Sequence, residues 1–106
     1  MKFIDTYELK TRELTKGFYG RFIHTEHNTI GYIRVDAGAV LPEHAHVHEQ
    51  VTTIIEGQFE VTLGGEAKVL GPGMAFHAVP NMPHSARAIT DCFLIDLFHP
   101  VREDFK

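Results

Sequence analysis

From Glu43 to Gln50 the chain reads Glu-His-Ala-His-Val-His-Glu-Gln, and a further histidine, His84, follows Pro80-Asn81-Met82-Pro83. Five of the eight histidines fall between His44 and His84, and histidine is the commonest metal ligand. On a strand, residues two apart face the same side. His44 and His46 are therefore expected to aim both imidazoles into one space. His84, presented by a rigid proline segment, supplies a third ligand from elsewhere in the chain. Gln50 keeps the same parity and so does His48, so parity does not choose between them, and Glu49 has the wrong parity unless a bulge intervenes. Histidines on an exposed polar strand would be the bland explanation of a lone residue. A His-x-His-x-His run with a separate His84 fits one divalent metal ion better.

A second chemical signal lies in Cys92-Phe93-Leu94-Ile95-Asp96-Leu97-Phe98, the most apolar run in the chain. Apolar residues on both parities predict a strand covered on both faces, one by the interior and one by a second sheet or a partner subunit. The Phe93, Ile95 and Leu97 face therefore predicts a homodimer. Asp96 sits in the middle of this run. An unpaired buried carboxylate costs several kcal/mol even after relaxation. Backbone donors, an arginine, a cation, or a function that uses a raised pKa must hold it there. Phe98 shares its parity and faces the same space. Arg102, just past Pro100, reads from its neighbours alone as a solvated tail residue.

The elements that must position these residues are short β-prone runs, separated about every ten residues by Gly, Pro, Asn or Asp. The runs are Phe18–Thr25, Thr29–Val35, Glu49–Ile55, Gln58–Leu63, Ala67–Leu70, Met74–Val79, His84–Ala88 and Cys92–Phe98. Glu49–Ile55 and Gln58–Leu63 are expected to pair through the Glu56-Gly57 turn. No dozen-residue window carries helical periodicity, so the fold class is all-β, a sandwich or barrel. With 106 residues there is room for one domain. Residues 1–17 form an arm or edge strand and 18–106 the barrel with a short C-terminal tail. An apolar content of 43% excludes disorder. No apolar run reaches the ~20 residues of a membrane span. The early acidic residue Asp5 argues against a signal peptide, and the single cysteine, Cys92, points to the cytoplasm. A net charge of −4 without a Lys/Arg cluster argues against nucleic-acid and membrane partners.

Gly38-x5-His44-x-His46-x3-Gln50-x6-Gly57 resembles the first motif of the cupins, Gly-x5-His-x-His-x3–4-Glu-x6-Gly. Pro72-Gly73 with Pro80 and His84 resembles their second, although Met74 stands where an Asp often follows and the usual Asn after the His is absent. The resemblance spans roughly residues 18–98. It implies an antiparallel jelly-roll barrel with one divalent metal (Zn, Ni, Mn or Fe) bound by His44, His46, Gln50 and His84. Gln50 is the departure, since cupins usually carry Glu there. An amide adds no charge, so three imidazoles and an amide leave the ion's +2 uncompensated and favour an anionic ligand. Alternatively Gln50 is a donor outside the coordination sphere, which His48 or water completes.

Gln50 together with Asp96-x-Phe98-x3-Arg102 and the Arg-Glu-Asp tail resembles the KdgF-type cupins. This resemblance implies linearisation of 4,5-unsaturated monouronates from pectin or alginate to open-chain keto-acids. Asp96 would be the catalytic acid/base, Arg102 a second catalytic and substrate-binding residue, and Phe98 a residue lining the site. The chemistry suits these side chains. A cyclic hemiacetal whose ring oxygen is an enol ether needs polarisation and a proton delivered to carbon. Arg102 can pair with the substrate carboxylate or hold Asp96. An iron dioxygenase and a non-catalytic sugar-binding barrel are the alternative functions. Of the remaining residues, His24 and His27 flank a turn, His77 lines the barrel or faces solvent, and Cys92 reads as a small core residue. Arg21, Arg34 and Arg87 are candidates to reach the interior, and Tyr32 to hydrogen-bond a sugar hydroxyl there.

Overall fold

The computed structural model describes residues 2–106. After a 3-10 turn at Thr6–Glu8 come ten strands: β1 (Arg12–Thr15), β2 (Phe18–His24), β3 (Thr29–Val35), β4 (Val40–His44), β5 (Glu49–Glu56), β6 (Phe59–Leu63), β7 (Glu66–Leu70), β8 (Ala75–Ala78), β9 (His84–Ala88) and β10 (Cys92–His99). A second 3-10 turn, Glu103–Phe105, follows. The strands form a six-stranded sheet in the order β1-β2-β3-β10-β5-β8 and a four-stranded sheet in the order β4-β9-β6-β7. Among the described residues every pairing is antiparallel. This is the all-β jelly roll, two sheets enclosing one core.

Burial alternates along the strands, as one-face packing requires. In β5 the buried column is Gln50, Thr52 and Ile54, and in β10 the buried residues are Cys92, Leu94 and Phe98, with half-buried Asp96 between the last two. The cross-strand register places Ile54 beside Leu94, Thr52 beside Asp96 and Gln50 beside Phe98. Both columns therefore run from apolar at one end to polar at the other. The apolar ends join Phe18, Ile33, Val35, Phe59, Val61, Leu70 and Phe76 in the core. The polar ends are left to line a cup.

Two expectations drawn from local sequence are corrected. β5 and β6 do not form a hairpin: β5 pairs with β10 and β8, and β6 with β7 and β9. The Glu56-Gly57 corner carries the chain from one sheet to the other. Gly57 (φ +91°) lies so close to the β9–β10 connection that a Cβ would stand 2.2 Å from Asp91 O. The histidine segment is not one regular strand either. β4 ends at His44 in the small sheet, His46 and His48 lie in the corner, and Gln50 belongs to β5 of the large sheet.

Within one chain the outward face of β10 is partly open, with Phe93 and Ile95 half-buried. Leu97 is 43% exposed and Val51, its β5 partner, 38%. The N-terminal segment instead reaches Arg21, whose Nη1 donates to Thr6 O at 3.0 Å and whose guanidinium lies 4.7 Å from the centre of the Tyr7 ring.

Gly57→Ala adds a forbidden contact to an unfavourable φ. A loss of roughly 2–4 kcal/mol is expected, against about 1–2 for Gly38→Ala, where φ is +82° but nothing lies within 4 Å. Urea unfolding midpoints of the two variants check this ordering.

Candidate active site

His44 and His84 are register partners on β4 and β9, with ring centres 4.1 Å apart. The His46 ring centre lies 5.0 Å from that of His84 and 5.5 Å from that of His44. Each Nδ1 meets a backbone carbonyl two residues away: Pro42 O at 3.0 Å for His44, His48 O at 2.9 Å for His46 and Met82 O at 2.9 Å for His84. A carbonyl only accepts, so each Nδ1 carries the hydrogen and each Nε2 keeps its lone pair. One ligand nitrogen from each ring falls within a cluster no wider than 4.8 Å. The proline turn after β8 fixes this arrangement, because Asn81 N donates to His46 O at 2.8 Å and Pro83 O accepts from Gly64 N at 3.0 Å.

Two observations show that this donor set fits a cation. Nε2 of His84 is buried with no hydrogen-bond partner among the described residues, and such groups are rare without a reason. Gln50 Oε1 lies 3.1 Å from His46 Nε2, so two lone-pair atoms face each other with no hydrogen between them. A positive ion among them relieves both. Two of the imidazoles are held toward the neutral form. Burial, reinforced by the charge of Arg102, pushes His46 down to about 4, and burial likewise lowers His84.

The remaining wall carries charge. The Asp96 carboxyl is enclosed, and its Oδ1 accepts from Thr52 Oγ1 at 2.6 Å. Burial pushes this acid up to about 6, against the opposing pull of the Thr52 hydroxyl and the Arg102 charge. Arg102 is not a solvated tail residue. It is 9% exposed, and its guanidinium stacks 4.7 Å from the centre of Phe98 and 3.9 Å from that of Phe105. Its Nε and Nη2 donate to the two oxygens of Asp104, at 3.1 and 2.9 Å. It therefore acts on Asp96 through its field, as a cation fixed beside the cup.

A cavity of about 220 Å3 joins these groups, lined by His44, His46, Gln50, Thr52, His84, Asp96, Phe98 and Arg102 above a floor of core residues. That is small even for a ligand pocket and admits a ligand of monosaccharide size. The structure leaves His48 out of the cluster of ligand nitrogens, with its ring centre 5.6 Å from that of His46. His77 Nε2 pairs with Glu49 Oε2 at 2.6 Å on the outer surface. Arg21, Arg34, Arg87 and Tyr32 do not line the cavity. Arg34 pairs with Asp36 and Arg87 with Glu60. The sequence reading missed Thr52, Phe105 and the Asp104 clamp. For Thr52 the signal was present, since it stands two residues beyond Gln50 on the same strand face.

Residues 31–98 match the family model described as Cupin domain. Over 70 residues the chain is 39% identical to the pectin degradation protein KdgF of Dickeya dadantii, a match spanning 64% of each chain's length. Two solved structures match the whole chain: KdgF from a Halomonas species (34% identity, TM-score 0.93, 99% of that chain) and an RmlC-like cupin from Shewanella frigidimarina (33% identity, TM-score 0.94, 96% of that chain).

The raised Asp96 acid bears on stability with a definite sign. Between its ordinary value of 3.8 and about 6, the folded chain holds a proton that the unfolded chain releases. Stability from this group therefore falls as pH rises through that window, a penalty of about 3 kcal/mol above it. Metal-free Asp96→Asn should accordingly resist denaturant better than wild type at pH 8. The gap should close below pH 4, and the comparison cancels the histidines' own pH dependence. Paired unfolding curves across pH 4 to 8 check both the gain and its disappearance.

Proposed function

This chain belongs to the cupin domain family, and from that premise we propose that it is a metal-dependent enzyme opening the ring of 4,5-unsaturated monouronates. These are the monomers that lyases leave from pectin or alginate, and the product is the open-chain keto-acid. One observation carries the reading: an enclosed carboxyl, Asp96, shares a monosaccharide-sized cavity with a cluster of three imidazoles, with Arg102 fixed at its side. The similarity to two KdgF proteins, one of them a pectin degradation protein by name, supports it.

His44, His46 and His84 would hold the ion through Nε2, with Gln50 Oε1 as fourth ligand. When bound, a divalent ion of this kind (Zn, Ni, Mn or Fe) supplies Lewis acidity toward the uronate carboxylate and oxygens. The donors are all neutral, so an anionic substrate suits the site. Arg102 uses only the Nε–Nη2 edge of its fork on Asp104, and its remaining N–H groups attract the substrate carboxylate. In the reaction the hemiacetal O–H loses its proton, the bond from C1 to the ring oxygen breaks, and C1 becomes a carbonyl. The ring oxygen leaves as the enolate oxygen on C5, and the enolate takes a proton at C4 and becomes a ketone. The proton count balances and no electrons are exchanged. Asp96 moves the proton, and an acid held near pH 6 is suited to both accepting and donating. Phe98 and Phe105 shield the site from water and brace Arg102.

Asp96→Asn should keep the fold and the metal and lower kcat by at least ~10²-fold. Arg102→Ala should raise KM more than it lowers kcat. His46→Ala should lose metal and turnover together with little loss of stability. Loss of the conjugated double bond in ultraviolet absorbance, with metal content measured on the same samples, checks all three. An Asp96→Asn variant as fast as wild type would remove the acid/base assignment.

The same reading includes a homodimer through the outward face of β10. Phe93, Ile95 and Leu97 stand there beside Ile30 and Tyr32 of β3 and Val51 and Thr53 of β5. Sedimentation at micromolar concentration should give twice the chain mass, and Leu97→Arg should halve it; a monomeric wild type contradicts the assignment.

A further inference from the structure

Thr52 and Asp96 stand opposite each other in the β5–β10 register. The Thr52 hydroxyl donates to Asp96 Oδ1 at 2.6 Å and accepts from Gln50 Nε2 at 2.8 Å. Gln50 then presents Oε1 to the imidazoles, 3.1 Å from His46 Nε2. A hydroxyl has one hydrogen. Here it is directed at Asp96, so the neighbour on its other side must be a donor. An amide meets both demands, with NH2 toward Thr52 and the carbonyl toward the imidazole cluster. A carboxylate does not, because Thr52 would then face two acceptors with one hydrogen in a buried place, where an unmade hydrogen bond is costly.

We propose that Thr52 is a positioning residue that links Gln50 to Asp96 in a one-directional hydrogen-bond chain, and that this chain is the reason an amide stands among the three imidazoles. The catalytic meaning rests on the ring-opening reading; the chain itself does not. Thr52 sets two things at once. It holds the Gln50 carbonyl toward the imidazoles, and it holds the Asp96 carboxyl at the orientation from which a proton reaches the substrate carbon.

Three variants separate this from a role for Gln50 as ligand alone. Gln50→Glu should bind Zn²⁺ at least as tightly as wild type in calorimetric titration, since a carboxylate adds charge to the site, yet lose at least ~10-fold in kcat with KM little changed. Thr52→Val should bind Zn²⁺ within about 3-fold of wild type and also lose ~10-fold in kcat, and Thr52→Ser, which restores the hydroxyl, should recover most of that loss. Gln50→Glu with full kcat, or Thr52→Val and Thr52→Ser behaving alike, overturns the proposal. If the wild-type protein turns over no unsaturated uronate, the ring-opening reading fails and the chain is judged by NMR. The Gln50 side-chain amide resonances should then move in Thr52→Val and stay in Thr52→Ser, and unmoved resonances in Thr52→Val reject the chain.

Discussion

Three imidazoles share one point only when each has its other nitrogen engaged elsewhere. In this chain the engagement is local and backbone-made: Pro42, His48 and Met82 each offer a carbonyl to the Nδ1 of a histidine two residues away. That constraint fixes the tautomers and aims three lone pairs inward. It also dictates much of the architecture around it. β4 must stop at His44, the chain must turn a corner through His46, and the Pro80–Pro83 turn must deliver His84 from β9 against the same point. The backbone bond from Asn81 N to His46 O ties the corner to the turn, so the two loops move as one piece. The jelly roll matters to function because it brings a four-stranded and a six-stranded sheet together at this seam.

Opposite the imidazoles the fold tolerates what a core normally excludes. Asp96 stands in an apolar strand with a hydroxyl where a backbone donor or a cation would be expected, and Arg102 influences it only at a distance. Arg102 is itself immobilised by Asp104 on its edge and by Phe98 and Phe105 on its faces. This keeps a positive charge beside the cup without neutralising the acid. Burial acts with opposite sign on the two group types here, lowering His46 and His84 and holding the proton on Asp96 late. Sites of this kind work against stability in order to preorganise chemistry.

Much of this was legible in the sequence, and the rest failed for identifiable reasons. Thr29–Val35 and His84–Ala88 are strands at the residues expected, because alternating burial is a local property. The convergence of His44, His46 and Gln50 was expected from strand parity, but the chain achieves it through a corner between sheets. Parity and corner give the same spacing signal, so sequence cannot separate them. The expected pairing of β5 with β6 fails similarly: Gly57 marks a sharp change of direction without saying whether the next strand returns beside the last or crosses to the other sheet. Arg102 read as a tail residue because its partners, Phe98, Phe105 and Asp104, form a nest only after the C-terminal turn folds back. The identity between Gln50 Nε2, Thr52 Oγ1 and Asp96 Oδ1 as one chain depends on cross-strand register, which periodicity alone does not give.

On the function proposed above, the cup accelerates ring opening of an unsaturated monouronate beyond its rate in buffer. The most direct measurement follows conversion of 4,5-unsaturated galacturonate and of the alginate-derived monomer by proton NMR, with the metal-reconstituted wild-type chain and with buffer containing the same metal. The open-chain keto-acid should accumulate in the protein sample well ahead of the buffer for at least one of the two substrates. Equal rates with protein and with buffer, for both substrates and for each of Zn²⁺, Ni²⁺, Mn²⁺ and Fe²⁺, would contradict it.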